Sequence, residues 1–301
     1  MPIKQPTKKQ HYVPQIYLSG FSKDSASIYE YNYAKREAIE KPVSIESVCR
    51  EQYLYEVRDQ AGEIININYI EDVLCGYEGQ FADYRRNLLR KATVKENYKI
   101  SCFLTKEEKD FWMFFTALQM MRSPFMLNGI RDVLLDGLSG QLSSEEAKNI
   151  AIAFCLPFFK KLERGEFNAF LHFFSLLKSK VLTVGYAESD RLFTSEHAMC
   201  GIRNSAEGMF SFKRLWFPVN SNCVLIFSEP GEIDPTKKNC LIPITENDVC
   251  GINKEIAYIA GQMVLSKYPF SKEDIRLIEE ARKDRAEDEE KKRLLSIDRI
   301  L

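Results

Sequence analysis

The chain has 301 residues, 45% of them hydrophobic, and sets 42 basic against 43 acidic side chains for a formal net charge of −1. That apolar content excludes disorder and can fill one large core or two smaller ones. The near-zero charge excludes a whole-molecule field that would draw in nucleic acid or an anionic membrane, so any nucleic-acid contact must come from a local patch.

Eight cysteines lie far apart, at positions 49, 75, 102, 155, 200, 223, 240 and 250, with no CxxC pair to suggest a zinc ribbon or a redox couple. Several sit inside apolar runs, so reduced thiols in a cytoplasmic protein are expected. The first ten residues have no apolar signal core, and no apolar stretch is long enough to cross a bilayer, so no membrane partner is expected.

Close to the N-terminus, Lys9 to Phe21 reads KQHYVPQIYLSGF and gathers a histidine, a proline, two tyrosines, a leucine and a phenylalanine into one segment. Ser27 to Tyr33 alternates apolar and polar residues as a half-buried strand does. Gln52 to Val57 and Glu63 to Ile67 read as further strands around a turn at Asp59 to Gly62, which together predict a small meander. From about Tyr69 the spacing changes to three and four residues (Ile70, Val73, Leu74, Tyr77, Phe81, Tyr84, Leu88), which predicts a long amphipathic helix to about Lys91.

Thr105 and Glu108 form a capping-box pattern ahead of the apolar run Phe111, Phe114, Phe115, Leu118 and Met121, and Ser123-Pro124 is expected to end that helix. Further helices are expected from Ser144 and over Glu166 to Lys180, where His172 reads as a core histidine. β-Branched and aromatic residues at Val181 to Tyr186, Arg191 to Thr194, Phe210 to Val219 and Val224 to Phe227 predict a C-terminal sheet. Asn253 to Ser266 reads as a helix. Ser271 and Asp274 open a last helix in which 17 of the 22 residues 272–293 are charged, so it is expected to be mostly solvated and to project or to pair with another chain.

His11-Tyr12-Val13-Pro14 with Tyr17-Leu18 and Phe21 resembles the N-terminal HYxPxxYLxxF signature of a mostly prokaryotic domain-of-unknown-function family. Ile70-Glu71 with Glu78 resembles its acidic helix, and Gln119, Arg122, Ser123 and Pro124 its QxxRTP segment. Phe193-Thr194-Ser195-Glu196 resembles its FxTSDNP turn, Phe217-Pro218-Val219 its FPL strand, and Asn253 its asparagine ahead of a helix. Glu196 stands where the pattern usually has Asp, and His197-Ala198 replaces Asn-Pro. The resemblance runs from about Lys9 to Ser266 and implies no particular reaction.

Polar residues in otherwise apolar segments coincide with these motifs. His11 can serve as an acid, a base or a metal ligand near neutral pH. Glu71 and Glu78 are two helical turns apart, about 10 Å along the axis, on a face that also carries Leu74, and are candidate metal ligands with groups from other segments. Arg122 and Gln119 lie on the most apolar helix, where an arginine needs a carboxylate or a phosphate. Ser195-Glu196-His197 cannot form a relay among consecutive residues and reads as a polar turn. Arg85, Arg86, Arg90 and Lys91, near Tyr84, are candidate nucleic-acid contacts, with a solvated helix end as the plainer reading.

The expected architecture is α+β: a small N-terminal β piece, a helical middle, a C-terminal β-rich portion and a charged terminal helix. Residues 1–270 are expected to form one interlocked domain, with 271–301 as the charged helix. The functional expectation is a hydrolase acting on phosphodiesters, nuclease-like, with His11, Glu71, Gln119, Arg122 and Glu196 converging and a divalent metal at Glu71 and Glu78 as a candidate cofactor. The alternative is a non-enzymatic binding or regulatory module, self-associating through Lys272 to Leu301.

Overall fold

The computed structural model describes residues 5–59, 61–138, 140–158, 168–203 and 212–297. It is α+β, in the order expected. The first part contains β1 (Lys9–His11), α1 (Gln15–Leu18), β2 (Ser27–Asn32), β3 (Glu37–Ala38), β4 (Val43–Ser44), β5 (Arg50–Gln52), β6 (Val57–Arg58) and β7 (Ile64–Ile65). The middle is helical: α2 (Tyr69–Ala92), α3 (Lys106–Met121), α4 (Pro124–Gly137), α5 (Ser144–Cys155) and α6 (Ala169–Ser179). The last part holds β8 (Val181–Tyr186), β9 (Thr194–Ser195), β10 (Cys200–Arg203), β11 (Phe212–Pro218), β12 (Cys223–Ser228), β13 (Leu241–Pro243), α7 (Glu246–Ile259), β14 (Met263–Ser266) and α8 (Lys272–Ile297).

Of the expected N-terminal meander only the hairpin around the turn at Asp59 to Gly62 forms. β1 pairs with β5, β6 pairs with β7, and β2 lies between β3 and β14 in a sheet of order β3-β2-β14-β9. The run Gln52 to Val57 is broken because Tyr53 adopts φ 52°, a left-handed conformation that turns the chain and leaves Leu54 and Tyr55 buried. A second sheet, β10-β11-β12-β8-β13, is antiparallel except for β13 along β8.

One helical expectation is extended and one is corrected. Pro124 does end α3, but it also opens α4, with Ser123 accepting from the Met126 amide as N-cap; proline is well placed at a first helical position because its missing N–H would have no intrahelical partner. The helix expected over Asn253 to Ser266 stops at Ile259, and Met263–Ser266 is β14, whose Val264 and Leu265 are fully buried between β2 and β9. The α3 capping box forms as read, with Thr105 and Glu108 satisfying each other's backbone amides. The start of the expected helix at Glu166 and the start of the strand at Phe210 lie outside the described residues.

His172, expected in the core, is exposed on α6. The charged helix α8 is also tied down more than expected: Ile278 and Ala281 are fully buried, and Arg285 donates to the Ala260 carbonyl at 2.8 Å. Among the described residues no helix is long and apolar enough to cross a membrane.

A hydrophobic cluster runs from Tyr12 to Leu265 through all three parts of the chain. Tyr17 lies where these parts meet. Its ring stacks on Phe217 at 5.5 Å and packs on Phe81 at 6.0 Å, and its hydroxyl donates to the Ala198 carbonyl at 3.0 Å. The opening block is thereby wedged between α2 and the C-terminal sheets, which brings β1 over the end of α3.

Candidate functional site

Arg122 is the C-cap residue of α3, yet its side chain is only 2% exposed. A guanidinium so placed must find partners, and each of its three nitrogens does. Nη1 donates to Glu78 at 2.8 Å, Nη2 to the His11 backbone carbonyl at 2.6 Å, and Nε lies 3.3 Å from the Tyr55 hydroxyl, which itself donates to the Arg122 carbonyl at 2.9 Å. Burial alone would lower the Arg122 pKa; Tyr55 and Glu78 more than reverse this, so the cation is held charged.

Around this cation stand three polar atoms that are buried and have no hydrogen-bond partner among the described residues: His11 Nε2, Glu71 Oε1 and Gln119 Oε1. Burial pushes the Glu71 carboxyl up to about 7; Arg122 pulls it down, while Glu78, Glu56 and Asp72 push it further up. Burial also lowers the His11 pKa, with the Glu46 backbone and Glu78 opposing and Arg50 and Arg122 adding. Near neutral pH the imidazole is therefore neutral and Glu71 is divided between its acid and carboxylate forms. The His11 ring has no hydrogen bond to Arg122 or to a glutamate side chain among the described residues; Gln15 Nε2 lies 3.4 Å from its Nδ1. Gln119 is 1% exposed and donates its amide to the Tyr12 carbonyl at 2.7 Å.

Glu196 belongs to a different place. It is 4% exposed, and its carboxylate accepts backbone N–H groups from Gly261 at 2.5 Å, Gln262 at 2.8 Å and Met263 at 3.2 Å, closing the turn into β14. His197 Nε2 lies 3.6 Å from the same carboxylate. The six expected residues thus fall into two groups: His11, Glu71, Glu78, Gln119 and Arg122 gather near the end of α3, and Glu196 does not join them by any hydrogen bond.

Among the described residues no three His, Cys, Asp or Glu side chains come together as a metal site, and the charge facing Glu78 is Arg122. The four candidate nucleic-acid cations are also mostly engaged. Arg85 turns inward and donates to the Ile16 carbonyl at 2.6 Å and to the Ser19 hydroxyl at 3.0 Å, which ends α1; Lys91 pairs with Glu108 at 2.9 Å, and Arg86 with Asp83 at 3.1 Å. Arg90 is exposed.

Sequence reasoning missed the supports of this network. Gln10 is fully buried, donates to Glu56 at 2.9 Å and accepts from the Tyr55 amide at 2.7 Å, so β1 positions the tyrosine that holds Arg122. The signal available was Gln10, a polar residue next to His11 in the opening block, and Glu56, a glutamate directly after Tyr53, Leu54 and Tyr55. Asn253 pins the strand approach to α7, since its side-chain amide accepts from Phe193 N at 2.8 Å and donates to the Arg191 carbonyl at 2.8 Å.

No curated protein and no solved structure matches the chain. A family model does match, over residues 9–268, a span that holds the opening block, the Arg122 network and the Glu196 turn. On that match the chain belongs to the family described as protein of unknown function (DUF4238).

Proposed function

We propose that this chain is a non-enzymatic binding module in which the buried polar residues form an internal lock and the ligand is met at the surface. The observation that carries the reading is the state of Arg122: it is sealed from solvent, with every guanidinium nitrogen engaged by Glu78, His11 or Tyr55. An arginine so engaged has little left to offer a phosphate, which removes the charge-stabilising group that a phosphodiester hydrolase built on these residues requires. Glu196 is likewise committed to backbone amides.

One observation favours the hydrolase reading as the alternative. Burial holds the Glu71 carboxyl up to about 7 with one carboxylate oxygen unpaired and lowers the pKa of His11, both in the field of Arg122 and Glu78, and oppositely shifted groups of this kind are suited to acid–base work. Incubation of the purified protein with RNA and DNA in Mg²⁺ or Mn²⁺ decides between them. Intact substrates for the wild type support the module. Cleavage that Glu71→Gln or His11→Ala abolishes establishes the hydrolase.

All eight cysteines are free, which supports a reducing, cytoplasmic setting for either reading. Self-association through Lys272 to Leu301 belongs to the same proposal, confined to the outer face of α8 because Ile278 and Ala281 are committed to the body. Residues 298–301 lie outside the described residues.

A further inference from the structure

Two cavities lie side by side along α3, far in character from the Arg122 lock. The first, about 570 Å³, is lined by Lys106, Lys109, Asp110, Lys178, Lys180 and Lys238, which come from the start of α3, the end of α6 and the loop before β13. The second, about 600 Å³, is lined by Tyr77, Tyr84, Phe111, Phe114 and Phe174 from α2, α3 and α6. They share Lys106 and Asp110, so they form one continuous groove with a cationic end and an aromatic end.

The cationic end is open to a ligand. Lys180 is committed to Glu229 and the Phe212 carbonyl, but none of Lys106, Lys109, Lys178 or Lys238 is in an ion pair among the described residues, and Lys106, Lys178 and Lys238 are exposed. The acids that face the groove are Asp110 and Glu107, and the Tyr84 hydroxyl donates to Glu107 at 3.3 Å. In a chain whose net charge is −1, four unpaired lysines from three segments at one groove are a local patch of the kind that phosphate requires.

The aromatic end supplies flat faces in series. Tyr84 stacks on Phe111 at 3.9 Å and 7°, Tyr77 packs on Phe114 at 4.8 Å, and Phe114 meets Phe174 at 6.1 Å, with the Lys178 ammonium 4.3 Å from the Phe174 ring. Tyr77, Tyr84, Phe114 and Phe174 are only half-buried, although apolar rings of this size normally complete a core. A row of partly exposed rings beside a row of unpaired lysines is the arrangement that holds unstacked bases and their phosphates.

We infer that this groove binds single-stranded nucleic acid, lysines on the backbone and rings under the bases. The inference names a ligand class for the binding module and rests on that reading. A duplex keeps its bases stacked and cannot present them to the rings, and a single nucleotide would leave most of the rings and lysines unused.

The test is fluorescence anisotropy with labelled twelve-nucleotide oligo-dT and oligo-rU in EDTA, with wild type and Lys106→Glu/Lys178→Glu, whose exposed positions leave the fold intact as circular dichroism can check. Four lysines on four phosphates give a salt slope near 2.8, so wild-type affinity falls on the order of 50-fold between 50 and 200 mM salt. The double variant should bind at least about 10-fold more weakly at 50 mM salt, with a slope smaller by about 1.4. Absence of binding, equal binding by the variant, or equal competition by duplex DNA or by inorganic phosphate overturns the inference. Equal binding by the variant leaves the module reading standing with its ligand elsewhere. Shortening of the oligomer when Mg²⁺ replaces EDTA, abolished by Glu71→Gln, overturns the module reading and leaves the groove as the substrate path.

Discussion

Arg122 donates to the His11 backbone carbonyl at 2.6 Å, so the opening histidine is tied to the helical middle through its main chain and not through its ring. The same guanidinium holds Glu78 at 2.8 Å in a setting where Arg122 is almost fully buried and Glu78 is not. Removing one partner of such a pair leaves an uncompensated charge, and the cost is about 3–5 kcal/mol. Arg122→Ala should therefore lower the urea midpoint by a large step. His11→Ala, which keeps the carbonyl, should lower it far less, and a comparable loss would show that the ring carries the tie. A double-mutant cycle of Arg122→Ala with Glu78→Gln should give a coupling above about 1 kcal/mol, as expected for residues in direct contact.

The raised carboxyl of Glu71 makes stability depend on pH with a definite sign. Its folded-state pKa of about 7 exceeds the ordinary 4.5, so between those values the folded chain holds more proton than the unfolded one. The stabilisation is present below about 4.5 and is lost as pH rises through about 7. Glu71→Gln should remove the slope and stabilise the protein at pH 8 by roughly 1–2 kcal/mol, a figure reduced for partial solvent screening. At pH 4 the variant should differ little from wild type. The lowered pKa of His11 acts in the opposite direction, adding stability as pH rises through its own range, so the variant should retain a shallow positive slope. Urea unfolding at pH 4 and pH 8 reads both, and the same shift at both values would contradict a protonated Glu71.

Glu196 gathers three successive backbone amides, from Gly261 to Met263, at the turn that delivers β14 between β2 and β9. Unpaired buried N–H groups cost about 1–3 kcal/mol apiece before water finds them. Glu196→Ala should cost about 2–4 kcal/mol, and Glu196→Gln less, because it keeps one acceptor oxygen. Amide hydrogen exchange should rise at residues 261–265 in both variants. Unchanged protection there would mean that the turn closes without the carboxylate.

Neighbouring arginines on α2 should behave unlike each other. Arg85 reaches the carbonyls of Ile16 and Tyr17 at 2.6 and 3.3 Å and so satisfies the end of α1, whereas the Arg86 side chain is 76% exposed beside Asp83. Arg85→Ala should cost about 1.5–3 kcal/mol, the range for hydrogen bonds to a charged group. Arg86→Ala should change stability by less than about 0.5 kcal/mol. Thermal melts of the two variants check the contrast.

What the sequence makes legible follows from the kind of interaction involved. The long helix α2, the capping box of α3 and the strands β2, β8, β11 and β12 are set by local periodicity and local caps, which a single chain displays. Met263 to Ser266 reads locally as helix and becomes β14 only through pairing with β2, more than two hundred residues away, and no local signal carries that. The polar cluster is legible as a set of misfits in apolar segments, since a buried arginine on α3 demands a carboxylate such as Glu78. The place of Glu196 is not legible, because its partners are backbone amides, and any residue type supplies those. The groove along α3 is equally hidden. Tyr84 stands beside a basic run on α2, but the lysines that line the groove with it come from α3, α6 and the loop before β13.

The charged helix α8 gives the last contrast, between its two faces. Ile278 and Ala281 are fully buried against the second hydrophobic cluster, the Tyr31 hydroxyl donates to Glu279, and Tyr258 donates to Asp288 at 2.9 Å. Lys283 lies on the outer face with its side chain 77% exposed. Ile278→Asp places an unpaired carboxylate in an apolar contact and removes a packed side chain, so it should cost upward of about 3 kcal/mol. Lys283→Ala should cost less than about 0.5 kcal/mol. If α8 also joins two copies through its outer charges, reversing Lys283 and Arg276 to Glu should lower the solution mass while leaving the melting temperature within a few degrees. A mass of one chain for wild type and variant alike would leave α8 as a brace on the body, with Ile278→Asp still destabilising.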